Sequence, residues 1–180
     1  MARPYYALET LAPANSVGFL LKRCGVLMQQ VAEARFASLP ISFTQWMTLA
    51  TLTQQACVSA SQLSAELGHD MGALTRVVDE LERRGFVRRE RSRRDRRSVE
   101  IAITASGRRQ AQNGKRLVVE LLNQLVEPFG ARETDTLIVM LQRLLLHLQD
   151  IAQVRPIVSV PAPAGRAAAA RHKSRPRGGA

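Results

Sequence analysis

Apolar residues recur at three- and four-residue steps along most of the chain, which is the spacing that one face of an α-helix requires. The first such stretch predicts a helix from Asn15 to about Ser38, and Pro40 then breaks the chain. Its apolar face carries Val17, Leu20, Leu21, Cys24, Leu27, Met28 and Val31. Further helices are predicted from Ser42 to about Gln54, from Ser59 to Gly68, from Asp70 to Gly85, and from Thr104 to Glu127.

The starts of two central helices carry local signals. Ser42 with Gln45, and Ser59 with Gln62, each form a capping box in which side chain and backbone bond reciprocally. Ile41 with Trp46, and Val58 with Leu63, stand where a hydrophobic staple belongs. The second of these helices is joined to the next by the short turn "GHD", which is the pattern of a helix-turn-helix. An ordinary helical hairpin has the same spacing.

A change of period after Gly85 predicts two strands. The segments "FVRRER" and "SVEIAIT" flank "SRRDRR" and together predict a β-hairpin with a basic tip. In the second strand, Val99, Ile101 and Ile103 are expected to face one way, with Glu100 and Ala102 facing the other.

The last helix has a narrow apolar seam, made of Leu137, Leu141, Leu144, Leu148 and Ile151 at steps of four, three, four and three. Ile138 and Leu145 widen it. A seam of this kind favours packing against another helix, in a partner subunit or within the chain.

Composition narrows the class of protein. The formal net charge is +11 and the pI about 11.2, which favours nucleic acid as a partner and an acidic membrane surface second. No apolar run reaches membrane-spanning length, and no signal peptide is predicted at the N-terminus. Two cysteines suit the reducing cytoplasm. Residues 154–180, with six basic and no acidic side chains, are predicted to be a disordered basic tail.

The fourth predicted helix supplies the candidate DNA contacts. If Met71, Leu74, Val78 and Leu81 face inward, then Gly72, Ala73, Thr75 and Arg76 face outward near the N-terminal end, where a recognition helix meets the major groove. Arg76 suits a bidentate bond to guanine. Phosphate oxygens are the expected partners of Thr75, Ser59 and Ser61.

The hairpin adds a second candidate contact. Seven arginines fall between Arg88 and Arg97, and at a strand turn they have no stabilising role that mixed charges would not fill better. Beside a duplex they would neutralise phosphates and enter the minor groove. The tip residues are Arg94, Asp95, Arg96 and Arg97, with Asp95 expected to orient a neighbouring arginine. A solvated charge run is the alternative.

The sequence gives little support for a metal site, a catalytic site or a redox-active cysteine. His69, His147 and His172 are dispersed, so no metal site is predicted, and no catalytic arrangement or cofactor is expected. Cys24 lies on an apolar stripe and is predicted to be a core residue, as is Cys57, with redox sensing by Cys24 as the alternative. Phe43 and Trp46 are predicted to be core residues, with a place in the lining of a ligand pocket as the alternative.

The segment Leu74–Thr104 resembles the signature of MarR-family winged-helix transcription factors. The matching residues are Leu81, Gly85, Phe86 and Val87 after the recognition helix, Asp95 and Arg97 in the wing, and Thr104 and Gly107 beyond it, with Ile103 in place of the usual leucine. The resemblance covers about residues 15–151. It implies a mainly α fold with a small β-hairpin wing: a winged helix-turn-helix lobe plus a helical dimerisation region.

The implied organisation has an N-terminal extension over residues 1–14 and a MarR-like domain over 15–153. Its dimer helices would span about 15–38 and 105–152, and its DNA-binding lobe about 42–104. Arg97 would be the minor-groove residue. By alignment, the peroxide-sensing position of the family falls near Gly18, so that cysteine is absent.

The resulting hypothesis is a homodimeric, sequence-specific transcriptional regulator, a repressor that binds a palindromic site in double-stranded DNA. A small aromatic or apolar effector would change the spacing of its recognition helices. The alternatives are a regulator that senses oxidants through Cys24, and a DNA-coating protein without sequence preference, driven by the arginines and the tail.

Overall fold

In the computed structural model, residues 4–55, 57–92, 99–153 and 158 are described. Within these residues, a 3-10 turn at Pro13–Asn15 precedes six helices and three strands. In chain order these are α1 (Val17–Phe36), α2 (Phe43–Leu52), β1 (Val58–Ser59), α3 (Ala60–Leu67), α4 (Met71–Arg83), β2 (Val87–Arg91), β3 (Val99–Ile103), α5 (Ala105–Leu125) and α6 (Ala131–Ala152). The chain divides into two compact units, Met1–Leu125 and Val126–Ala180.

The predicted helix starts are confirmed. The Ser42 hydroxyl accepts from the Gln45 amide and the Gln45 side chain from the Ser42 amide, both at 3.1 Å. Ser59 and Gln62 repeat this arrangement ahead of α3. The helices thus begin where their sequences satisfy the first free N–H groups.

α1 supplies a second cap to α2. The Glu33 carboxylate accepts from the backbone amides of Phe43 and Thr44, at 2.9 and 3.0 Å, and from the Thr44 hydroxyl at 2.7 Å. The Gln29 amide donates to Glu33 as well. A carboxylate at a helix N-terminus is stabilised by the exposed N–H groups and by the helix dipole, so Glu33 fixes α1 against the start of α2.

The sheet is one strand larger than the predicted hairpin. β3 lies between β1 and β2 and pairs antiparallel with both, with Val58 opposite Ile101 and Arg89 also opposite Ile101. Val58, expected only as a staple, is therefore also a strand residue. β1 has just two residues, too short for an alternating pattern to be read from the sequence.

The predicted alternation in β3 is correct only in part. Ile101 and Ile103 are buried, but Val99 is 50% exposed and Ala102 is 3% exposed. Val99 lies at the outer end of the hairpin, beyond the core. Ala102 lies at the inner end, where both faces of the sheet are covered.

Three aromatic rings anchor the core of the first unit. Phe36, Phe43 and Trp46 lie with ring centroids 5.4 to 5.9 Å apart, and all three are buried. The Trp46 indole N–H donates to the carbonyl of Ala111 on α5 at 2.8 Å. The interpretation of Phe43 and Trp46 as core residues is confirmed.

Two glycines let α5 approach its neighbours. A Cβ atom at Gly107 would lie 2.0 Å from the carbonyl oxygen of Phe86. One at Gly114 would lie 2.2 Å from Cδ1 of Trp46 and 3.0 Å from Phe36. Thr104 caps this helix by accepting from the Gly107 amide at 3.1 Å, as predicted.

α6 belongs to the second unit and contains no buried residue over its 22 positions. The predicted seam is solvent-exposed or half-buried throughout. Within the described residues, no helix is both long enough and apolar enough to cross a membrane.

Substituting Gly114 with alanine should lower the free energy of unfolding by about 1–3 kcal/mol, because the added methyl group overlaps the Trp46 ring and forces a shift in a packed core. Urea unfolding at a fixed protomer concentration measures this. Gly25→Ala is the control, since a Cβ there meets nothing within 4 Å. It should stabilise α1 by roughly 0.5–1 kcal/mol. Equal effects of the two variants would show that α5 is not closely packed at Gly114.

Candidate nucleic-acid interface

α3 and α4 form the predicted helix-turn-helix. Gly68 ends α3 in the left-handed conformation, with φ of 67°, and the Ser64 hydroxyl donates to the His69 carbonyl at 2.6 Å. α4 buries Leu74, Val78 and Leu81 in the core. Its opposite face is therefore free to meet a partner.

The exposed face of α4 carries the candidate base-reading residues. Gly72, Thr75 and Arg76 are exposed and Ala73 is half-buried. Met71, predicted to face inward, is 47% exposed, so that prediction is wrong. Met71 lies two turns before Val78 on the same side of the helix, but the first turn of α4 extends beyond the core on which the rest packs.

The hydroxyl groups named as phosphate contacts already have internal partners. Thr75 donates to the Met71 carbonyl at 2.7 Å. Ser59 and Ser61 bond each other, with their oxygens 3.1 Å apart, and Ser61 is exposed. These hydroxyl oxygens keep lone pairs but are oriented by the protein, so their assignment as DNA contacts stays a prediction.

Asp70 organises the start of α4. One carboxylate oxygen accepts from the amides of Gly72 and Ala73, both at 2.9 Å. The Ala73 hydrogen bond, followed by that from Gly72 and by the charge of Arg76, lowers the pKa of Asp70. A Cβ at Gly72 would lie 3.2 Å from this carboxylate. The small residue at position 72 therefore leaves room for the Asp70 cap, and its role in close approach to DNA stays a prediction.

The wing strands are present, but their tip is not described. Arg94, Asp95, Arg96 and Arg97 lie outside the described residues, and so does the predicted tail apart from residue 158. On β2, Arg88, Arg89 and Arg91 are all exposed. The basic surface of the described hairpin thus comes from β2.

Two arginines in the described part of the basic run have structural partners, which corrects the expectation that these side chains have no stabilising role that mixed charges would not fill better. Arg89 forms ion pairs with Asp79 and Glu82 on α4. Arg88 pairs with Glu90. Just before the run, Arg84 donates to the Pro40 carbonyl at 2.7 Å and lies over the Phe86 ring. The carboxylates at Asp79 and Glu82, three residues apart on one helical face, were the signal in the sequence.

Neither cysteine is a core residue. Cys57 is half-buried at the edge of the sheet, with Sγ 3.8 Å from a Glu90 oxygen. Burial, then the negative charges of Glu90 and Glu100, raise the pKa of this thiol, which keeps it protonated. Among the described residues, no three His, Cys, Asp or Glu side chains are grouped as a metal site.

Cys24 is exposed, because the apolar stripe of α1 is only partly covered within the first unit. It lines a groove of about 390 Å³ between α1 and α5, together with Leu27, Met28, Val31, Arg35, Leu121, Gln124 and Leu125. The Arg35 guanidinium donates to the side-chain carbonyl of Gln124 at its rim. The lining is mainly apolar, with few polar groups, as in small-molecule sites.

A helix-turn-helix beside an antiparallel strand pair defines the winged-helix class of DNA-binding proteins. The family model described as "MarR family" matches residues 41–99. The transcriptional repressor MprA of Escherichia coli K12 is 30% identical over 139 residues, which are 74% of this chain and 79% of that protein.

Two solved structures show the same fold. A mutant MarR from Escherichia coli, complexed with operator DNA, has a TM-score of 0.62 at 28% identity, covering 72% of this chain and 93% of that one. CouR from Rhodococcus jostii RHA1, bound to p-coumaroyl-CoA, has a TM-score of 0.62 at 27% identity, covering 79% and 96%. This chain belongs to the MarR family of DNA-binding transcriptional regulators, which are not enzymes.

The Asp70 cap generates a pH prediction. Because the folded pKa of Asp70 is lowered, ionised Asp70 stabilises the folded state above its unfolded pKa of about 4, and this contribution disappears as pH falls through the folded pKa. Asp70→Asn keeps an acceptor but no charge. It should melt below the wild type at pH 7, with the gap narrowing towards pH 3. A gap independent of pH in thermal unfolding would mean that the charge of Asp70 is irrelevant.

Proposed function

We propose that this chain is a homodimeric, sequence-specific repressor whose two α4 helices read the half-sites of a palindromic DNA sequence. The observation that carries the proposal is the division of α4 into two faces. Leu74, Val78 and Leu81 attach it to the core, and Gly72, Thr75 and Arg76 stand exposed at its N-terminal end. A cytoplasmic location is part of this proposal, because a regulator that binds DNA acts where the DNA lies.

The proposed DNA contacts have different roles. Arg76 is the base reader, and Gly72 and Ala73 allow the helix to approach the groove. Phosphate contacts are assigned to Thr75, Ser59 and Ser61. The wing contacts are assigned to Arg94, Arg96 and Arg97, with Asp95 orienting one of them. The assignments on α3 and α4 are supported by their positions in the helix-turn-helix, and those in the wing by the basic sequence between β2 and β3. MarR, whose solved complex contains operator DNA, supports a DNA-binding role.

The dimeric state is supported by apolar surface that the single chain leaves uncovered. α6 has no buried residue, although Leu137, Leu141, Leu148 and Ile151 are each at least 39% exposed and Leu144 is half-buried. α1 and α5 add exposed Leu20 and Leu122, which lie outside the groove between these two helices. Soluble monomers rarely leave large apolar surfaces uncovered. A second copy that brings the same helices would cover them symmetrically.

Effector binding is supported by the groove between α1 and α5 and by the ligand of CouR. We propose a small aromatic or apolar effector that shifts the spacing of the two recognition helices. A sensing thiol needs access and a lowered pKa, and the exposure of Cys24 supplies access. Solvent access alone does not make a thiol a sensor. We therefore propose regulation by a small effector in preference to oxidation of Cys24.

Binding to DNA from upstream of the gene, compared with a scrambled duplex at near-physiological salt, tests sequence specificity. We expect a strong preference for a palindromic site. Arg76→Ala should relax base preference at one position per half-site by about 1–3 kcal/mol. Arg83→Ala, which removes the same charge from the far end of α4, should leave base preference unchanged.

Equal loss of affinity for every sequence in the Arg76 variant would reduce Arg76 to a phosphate contact. Equal wild-type affinity for all duplexes, including those selected from a random pool, would support the DNA-coating alternative. Adding p-coumarate to the same titration tests the effector. A lower affinity for the preferred site is the result expected of a small aromatic ligand that binds in the groove, and an unchanged affinity would exclude p-coumarate as the effector.

Leu148→Glu should dissociate the dimer, because a carboxylate in an apolar interface is desolvated without a partner. A cost of about 3 kcal/mol corresponds to a roughly 100-fold higher dissociation constant. Sedimentation analysis measures it. Arg143→Glu, exposed on α6 away from the seam, is the control. A wild type that remains monomeric at micromolar concentration, or a Leu148→Glu variant that stays dimeric, contradicts this interface.

A further inference from the structure

Arg89 joins the wing to the recognition helix. It lies on the face of β2 that also carries buried Val87, and from there it reaches α4. One guanidinium nitrogen is 2.5 Å from a carboxylate oxygen of Asp79, and another pairs with Glu82. The backbone amide of Arg89 donates to the second Glu82 oxygen at 2.9 Å. A planar guanidinium that holds two carboxylates on one helix fixes orientation as well as distance.

The same contact concerns the charge of the reading face. Asp79 follows Arg76 by three residues, so the two side chains are neighbours on the surface of α4. A free carboxylate one turn from a base-reading arginine would repel the phosphates of a bound duplex and compete for that arginine. Hydrogen bonding to Asp79, and then to Glu82, raises the pKa of Arg89, so its charge is permanent. The guanidinium therefore neutralises two acids that follow the reading residues along α4.

Within the described hairpin, the neighbouring arginines on β2 do not form ion pairs with α4. Arg91 lies on the same strand face two residues further on, is exposed, and has no carboxylate partner within the described part of the chain. Arg88 lies on the opposite face and pairs with Glu90. The basic run thus contains arginines with distinct roles, although their sequence context is nearly uniform.

We propose that Arg89 is a positioning residue for DNA binding, which acts through Asp79 and Glu82 and does not touch the duplex. It locks the wing strand to α4, so that wing and recognition helix engage DNA as one rigid surface, and it neutralises the acidic side chains that follow Arg76. This inference rests on the proposed function for the identity of the reading face, and it adds the coupling between the two contact elements.

A mutant cycle tests whether Arg89 acts through its partners. The probe is a duplex selected from a random pool by the wild-type protein, with affinity measured by fluorescence anisotropy. Arg89→Ala should weaken binding about tenfold, within the range of coupling energies for groups in one ion-pair network. In the Asp79→Asn, Glu82→Gln background, the same substitution should change affinity by less than about twofold, since the partners are no longer charged.

Two variants serve as controls. Arg91→Ala removes the same charge from the same strand face without an ion pair, and its effect should be equal in both backgrounds. Arg83→Ala removes an arginine that is paired with Glu80 at 2.7 Å on the exposed end of α4. It should change affinity by less than about twofold, as expected for a surface pair away from the reading face.

Circular dichroism and thermal unfolding establish that each variant is folded. If Arg89→Ala does not fold, Arg89→Lys takes its place, because lysine keeps the charge and loses the two-pronged geometry. Arg89→Lys should then weaken DNA binding in the wild-type protein and leave it unchanged in the Asp79→Asn, Glu82→Gln protein.

An equal loss on substituting Arg89 in both backgrounds would show a direct phosphate contact and overturn the proposal, as would no loss in the native background. In each background, the affinity of the Arg89 variant is divided by that of the protein with Arg89 intact. The same ratio can be measured on a scrambled duplex. A wild type without sequence preference would therefore contradict the proposed function while leaving the role of Arg89 measurable.

Discussion

The packing of α5 against Trp46 is the constraint on which the remaining structure depends. The indole ring occupies the space that a side chain at Gly114 would fill, and its N–H bonds the Ala111 carbonyl one turn earlier. Phe36 and Phe43 complete the contact, so that α1, α2 and α5 meet at one aromatic cluster. If α5 moved away from Trp46, the buried indole N–H would lose its acceptor and a void would open beside the ring. α1, α2 and α5 therefore hold a defined relation to one another through these few side chains.

The arginines illustrate how one residue type serves two purposes. Like charges crowded on a short hairpin repel each other, yet Arg84 and Arg89 lie against carbonyl or carboxylate oxygens that offset this repulsion. Their aliphatic stems also pack, as Arg84 does over Phe86. The charge that remains exposed on β2 is consequently smaller than a count of basic residues suggests, and it is placed by the ion pairs around it.

Much of this fold could be predicted from local sequence. Helix starts at Ser42, Ser59 and Asp70 follow from side chains that bond the first backbone amides within three residues, and such signals need no knowledge of the rest of the chain. The faces of α4 followed from its period, because Leu74, Val78 and Leu81 span its full contact with the core. The fold class and the family resemblance were confirmed by the comparisons.

The incorrect predictions share a physical cause. Periodicity shows which way a side chain points, but not where the core ends. Met71 and Val99 point in the expected direction and lie past its edge, and Cys24 lies on a stripe that the chain itself does not cover. Long-range pairs were also missed, since the two residues of β1 and the partners of Arg89 are defined only once distant segments meet.

The Glu33 carboxylate has a consequence for the anion chemistry of the molecule. The amides of Phe43, Thr44 and Gln45 all have internal acceptors, supplied by Glu33 and Ser42. A helix start that would otherwise attract phosphate or sulfate is therefore already neutralised, by a charge belonging to a different helix. A displacement of α1 would therefore also expose the positive end of α2. It would remove the Glu33 carboxylate and leave the amides of Phe43 and Thr44 without an acceptor.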